Sequence, residues 1–183
     1  MSWIRWVGSA SAVILLAGCS STSPHVVSQS IETVPGINVV QRDQGNVIGS
    51  ISLRRSATRV DRQAVSGCLH QFVLPAADIV QPDADTWQSA GEQQIDGVAI
   101  HYRLSLQRLK NQNYFLFDQL GQVANTSRSS AVWIPLPAWG QRQPKVVYSA
   151  LVEQANAIQH CLMQSEDQQR HAAPRRDART RAS

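Results

Sequence analysis

Three cysteines and five histidines are the residues with the most chemistry to offer in this 183-residue chain. His70 lies two positions after Cys68, and His160 directly precedes Cys161. Two thiolates and two imidazoles would suit a tetrahedral zinc ion. Both pairs, however, fall in stretches with helical spacing. There, residues two apart point to nearly opposite sides and adjacent residues diverge by about 100°. One ion could not gather all four, so no metal site is expected. A nucleophile with its base is no better supported. The chain holds no Gly-x-Ser-x-Gly, His-Glu-x-x-His or Ser-x-x-Lys stretch and no phosphate-cradling glycine loop. His101 alternates to the polar side of a strand pattern, which makes it a solvated surface residue. Asp78, Asp83, Asp85, Glu92 and Asp96 cluster without the Asp-x-Asp-x-Asp-Gly spacing of a calcium loop. The expectation is a chain with no catalytic residue, no cofactor and no enzymatic activity.

The third cysteine closes the stretch Leu16-Ala17-Gly18-Cys19, behind Met1-Ser2-Trp3-Ile4-Arg5-Trp6 and an apolar or small run over 7–16. This stretch resembles the lipobox of bacterial lipoprotein precursors. The resemblance implies that residues 1–18 are a signal peptide, that the Cys19 thiol receives a diacylglyceryl group and that the new amine is acylated. The apolar run is too short for the roughly 20 residues that span a bilayer, and Leu16 with Gly18 fits a plain small-x-small cleavage site poorly. Each buried methylene contributes about 0.8 kcal/mol, and a stable anchor takes more than one acyl chain. In such lipoproteins an Asp after the cysteine tends to retain the protein at the inner membrane; with Ser20 in that place, the resemblance implies sorting to the outer membrane with the body in the periplasm.

That compartment is oxidising. With Cys19 taken by lipid, Cys68 and Cys161 remain as a pair, and a disulfide between them is the expectation. It would close a loop of more than ninety residues, and in the chain-entropy model such a loop contributes roughly 4 kcal/mol.

The net charge of +4 is unevenly placed. Five of the seventeen basic residues, Arg170, Arg175, Arg176, Arg179 and Arg181, lie in the last fourteen positions beside one acid, Asp177. Residues 20–169 carry eleven basic and twelve acidic residues, a net of −1. The basic balance therefore belongs to the tail. Arg54, Arg55, Arg59 and Arg62 form a second, smaller group at a strand-to-helix join.

The elements that would position these residues follow from periodicity. Residues 19–34, Ser-, Thr- and Pro-rich at the start, read as the lipidated cysteine and a flexible tether. Strands are expected over 37–41 and 47–53, with a turn at 43–46. A helix follows to Phe72, opened by a capping box from Thr58 to Asp61, with Cys68 on its apolar face. Residues 75–96 read as a loop anchored by Trp87, with at most a short edge strand there. The alternation of Val98, Ile100, Tyr102, Leu104 and Leu106 is the clearest strand signal. Partner strands are expected over 114–117 and 131–136, the second at an edge because of Pro135 and Pro137. A second amphipathic helix spans 145–164, with Cys161 on its inner stripe. The sum is one α+β domain over 35–164: a mostly antiparallel sheet of about five strands with two amphipathic helices joined by the disulfide. Residues 165–183 read as a disordered Arg-rich tail.

These features point to a non-catalytic binding or assembly factor at the outer membrane, in the manner of pilotins or accessory subunits of envelope and secretion complexes. A protein partner is expected, with Trp133 and Trp139 as apolar contacts and Arg175, Arg176, Arg179 and Arg181 as basic ones. The alternative is a structural tether that reaches peptidoglycan through the tail. A hydrolase of envelope components ranks behind both. Nucleic acid is excluded by compartment.

Overall fold

Period-two alternation organises the middle of the chain, and its buried side decides where the helices go. The structure is a computed structural model that describes residues 27–73, 78–123, 132–139 and 143–172. In chain order the elements are α1 (Gln29–Glu32), β1 (Ile37–Arg42), β2 (Gly45–Ser56), α2 (Arg62–Phe72), β3 (Val80–Asp83), β4 (Thr86–Ile95), β5 (Val98–Leu109), β6 (Gln112–Val123), β7 (Trp133–Pro135) and α3 (Gln143–Ala172). The fold is α+β, as the periodicity predicts. Its sheet is larger than expected, with seven strands in the order β1-β2-β6-β5-β4-β3 and β7 paired to β6. Every strand pair is antiparallel.

Register lines the apolar residues up in rows across β2, β6, β5 and β4. One row is Leu53, Phe115, Leu106 and Trp87; the next is Ile51, Phe117, Leu104 and Ser89. All eight are buried. The Tyr102 ring meets Phe117 edge-on with centroids 5.5 Å apart. Gly91 lies opposite Tyr102, and a Cβ there would sit 2.5 Å from the phenol. The glycine is what lets that ring lie flat on the sheet.

The two long helices cover this face. Val65, Cys68 and Leu69 of α2 and Val147, Leu151, Ala155, Ile158 and Leu162 of α3 are buried against it. The helices run antiparallel. Going along α2, Asp61 accepts from Gln169 at 2.9 Å, Cys68 is bonded to Cys161, and the Phe72 carbonyl accepts from Gln154 at 2.7 Å. The Cys68–Cys161 disulfide is thus present as expected, with Cα atoms 5.8 Å apart and 93 positions between them in sequence.

Several boundaries differ from the sequence expectation. The stretch read as a loop over 75–96 contains β3 and all of β4. Ile95 and Val98 pair directly, with Asp96 and Gly97 both at positive φ, 52° and 80°. That is the two-residue hairpin an Asp-Gly step favours. Trp87 accordingly sits in the core, 1% exposed, rather than anchoring a loop. Thr58 does not cap α2. Asp61 is the N-cap, accepting from the Ala64 N–H at 2.8 Å, while Thr58 turns inward to Asn113.

Residues 28–34, read as part of a flexible tether, belong to the body instead. The Ser28 N–H donates to the Ala138 carbonyl at 2.9 Å, and Ile31 is 1% exposed, so α1 docks on the body. Residues 165–172, read as part of a disordered tail, are helical instead. Helix α3 continues to Ala172, about 45 Å in all. An i,i+4 pair of Glu166 with Arg170 and the bond from Gln169 to Asp61 support its last turns. The Arg170 guanidinium, then the Arg59 backbone, hold the Glu166 carboxyl below its ordinary range. The expected strand over 131–136 is shorter, covering 133–135.

A buried polar cluster was not anticipated. Asn113, fully buried, donates at 2.9 Å to both Thr58 Oγ1 and Gln159 Oε1, and Gln159 Nε2 donates to the Ser56 carbonyl at 3.0 Å. This cluster joins β6, the turn after β2 and α3. Asn113→Ala would strand the Gln159 oxygen in the core, and a buried acceptor without a donor costs about 1–3 kcal/mol. Urea unfolding should show a loss of that size, and a change near zero would mean the cluster is not formed. Reducing the disulfide, or replacing both cysteines by Ala, should lower stability by about 2–4 kcal/mol. The same unfolding experiment with and without reductant measures it, and mass spectrometry should find neither Cys68 nor Cys161 as a free thiol.

Candidate functional site

The helices leave the other face of the sheet uncovered. Alternation places Ser52, Leu116, Ser105 and Gln88 in one row on that face and Ser50, Asp118, Arg103 and Ala90 in the next. Small hydroxyl side chains surround Leu116. Arg103 donates two hydrogen bonds to Asp118, each 2.8 Å. That contact keeps the guanidinium protonated above its ordinary value. The pair crosses β5 and β6 and stiffens the middle of the open face.

Beyond Asp118 the sheet divides. Pairing of β2 with β6 stops at Ser50 and Asp118. On β6, Gln119 has φ 52°, and the register against β5 shifts between His101 and Arg103. This is a bulge, which adds a residue and bends the strand. Past it, β6 pairs with β7, Gly121 opposite Pro135 and Val123 opposite Trp133. The chain after β7 then fills the freed edge of β2. The Ile48 N–H donates to the Leu136 carbonyl at 2.9 Å, and the Ala138 N–H to the Asn46 carbonyl at 3.0 Å. Leu136 and Ala138 are fully buried, so residues 133–138 act as a wedge in the split.

A groove of about 720 Å³ lies over this split. One wall is the β1–β2 hairpin, residues 40–44 and 47–49. The other is the β6 bulge at 119–121 with residues 133–135, and His101 borders it. Trp133 and His101 rings stand 5.3 Å apart at 49°, and Trp133 is 39% exposed. His101 is therefore half-buried against an indole and not freely solvated. Gly121 lies beneath: a Cβ there would come within 3.2 Å of the Ile134 carbonyl and 3.9 Å of Trp133. The absent side chain lets β7 close onto β6 and fixes the indole over the groove.

Besides Gln41, whose amide donates to the Arg42 carbonyl at 3.5 Å, Arg42, Asp43, Gln44 and Gln119 complete the polar part of the lining. Among the described residues, none of the four makes a side-chain hydrogen bond or ion pair. Sequence reading missed all four. Residues 43–46 showed only as a turn, and nothing in local spacing brings 40–44 to 133.

The residues singled out from sequence fare differently. Cys68 and Cys161 come together, and with both sulfurs bonded to each other neither is a thiolate for zinc. His70 and His160 are exposed on their helices. Among the described residues no group of three His, Cys, Asp or Glu is placed to hold a metal ion. Trp133 lines the groove; Trp139 is half-buried six residues on and does not. Cys19 and Arg175, Arg176, Arg179 and Arg181 lie outside the described residues. Among the described residues no helix is long and apolar enough to cross a membrane.

No protein-family model matches the chain, and no curated protein does. Among solved structures, a TBP-like protein from Parabacteroides distasonis is similar, with 8% identity and a TM-score of 0.40. The similarity covers 60% of this chain and 92% of that one. At this distance it says nothing of function.

Proposed function

We propose that this chain is a lipid-anchored protein of the bacterial envelope. In this reading it is attached to the outer membrane through Cys19, faces the periplasm and acts by binding, without catalysis, as an accessory or assembly factor for an envelope complex. The observation that carries the reading is the one-sided layering. Two helices cover one face of the sheet, and the other carries no helix among the described residues: there a half-buried Leu116 lies between Ser52 and the buried Ser105, with a partly exposed Trp133 at the end. The Cys68–Cys161 disulfide supports an oxidising compartment.

The test is photo-crosslinking in cells, with the crosslinking residue at position 116 and, in a second strain, at Met163 on α3, which is 41% exposed. One dominant envelope protein captured from 116 and not from 163 is the expected result. Capture from 163 alone, or from neither, would overturn the assignment of the open face. In the same cells Cys19→Ser should abolish fatty-acid labelling and release the protein from the membrane fraction.

A second reading, a tether to the cell wall, draws on a separate observation. The described chain enters at one end of β2, where Ser28 meets Ala138 beside Asn46. It leaves beyond the other end, along the part of α3 that passes Ser56 and reaches Asp61. The anchor and the basic tail would then leave opposite ends of the body. Deleting residues 173–183, which spares α3, should abolish co-sedimentation with peptidoglycan if the tail is the tether. It should leave the crosslink from position 116 intact.

A further inference from the structure

We infer that the groove over the sheet split is a binding site for a neutral glycan, a short run of pyranose rings from a cell-wall strand. The envelope reading supplies only the source of that glycan; the chemistry comes from the lining.

The first argument is the platform. Trp133 has His101 against it and 39% of its surface open. An aromatic ring presents a negative π-face, and the C–H-bearing face of a pyranose is its complement in both shape and charge. The indole is held on a strand pair that closes over Gly121, so little ordering is left to occur on binding.

The second argument is the polar rim. Arg42, Gln44 and Gln119 offer donors, Asp43 and both amides offer acceptors, and none is used within the described fold. A ligand that meets this set must itself carry donors and acceptors close together, which hydroxyl groups do. The charges exclude the simpler classes. Arg42 and Asp43 cancel, so an anion would meet a carboxylate and a cation would meet a guanidinium. A neutral polyhydroxylated ligand meets neither obstacle.

The third argument is Gln119. A non-glycine residue at φ 52° costs energy that the surrounding structure must cover. The bulge it forms bends β6 and opens the groove. The volume of about 720 Å³ lies in the range of small-molecule sites and leaves room for more than one sugar ring.

The experiment titrates the intact lipoprotein, held in a detergent without a sugar headgroup, with the trimer of N-acetylglucosamine and separately with inorganic phosphate. Calorimetry reads affinity and tryptophan fluorescence reports on the indole. The trimer should bind and phosphate should not. Trp133→Ala should weaken binding by about tenfold, ~1.4 kcal/mol, and Trp133→Phe by less. Asp43→Ala removes an exposed carboxylate that holds nothing in the fold, so it tests the rim even if Trp133→Ala misfolds, and a loss of about fivefold is expected. Trp139→Ala should bind as the parent does. Failure of the parent to bind the trimer, equal affinity in the Trp133 and Asp43 variants, or binding of phosphate instead would overturn the inference. None of these outcomes bears on the crosslink from position 116, so the envelope reading stands or falls separately.

Discussion

Strand β6 has to change partners, and the rest of the architecture follows from how it does so. Up to Asp118 it pairs with β2 on one side and β5 on the other, the central position in the sheet. At Gln119 the backbone enters the left-handed region and the strand turns away from β2. A split in a sheet exposes two rows of unpaired backbone groups, which is costly unless something fills it. Residues 133–138 do: they pair with β6 on one limb and β2 on the other, with Pro135 and Pro137 at positions where the ladder turns. The wedge in turn gives Ser28 the carbonyl on which the N-terminal segment docks. One bulge thus accounts for the docking of the N-terminus, the placement of Trp133 and the existence of the groove.

The same sheet has a thin core. With helices on one face only, alternate residues of every strand contribute little apolar burial, and a domain of this size has few layers to draw on. The covered face compensates by tying α3 down along its length. Gln154 bridges α3 to the end of α2 and to the Tyr102 hydroxyl, whose burial raises its pKa above the ordinary value and keeps it protonated. Gln159 and Asn113 join it to β2 and β6, Cys161 joins it to the middle of α2, and Gln169 to the α2 cap. Each tie is polar or covalent and therefore directional, where apolar packing alone would let a helix slide on a flat sheet. Asn113 and Gln154 are the costly members: the buried side-chain oxygen of each has no partner among the described residues.

Residues that announce themselves by period were legible in the sequence. The apolar face of β5, the stripes of α2 and α3 and the α+β class all follow from alternation and helical spacing, and Cys68 and Cys161 meet as their positions on those stripes imply. The strand β4 was hidden because Gln88, Glu92, Gln93 and Gln94 give it a polar look. Yet Asp96-Gly97 between Ile95 and Val98 is a strong hairpin signal and would have revealed it. The groove was not legible at all. It depends on where β6 bends and on a wedge that brings residue 133 beside residue 101, and neither leaves a local pattern. Trp133 showed only as an apolar residue near prolines, and Gln119 as an unremarkable polar one.

Position along the body then separates two kinds of contact. The N-terminal segment docks at Ala138, which itself bonds Asn46 of the hairpin whose residues 40–44 and 47–49 wall the groove. If Cys19 carries lipid, the eight residues from 19 to 26 span at most about 29 Å when fully extended. That length bounds only how far such an anchor could lie from residue 27, where the described body begins. Helix α3 carries the chain about 45 Å along the opposite direction. The start of α3 meets β6 at Gln122, beside Gly121 of the groove, and its far end lies several Debye lengths away at physiological salt, about 8 Å each, so charge at that end is screened from the groove.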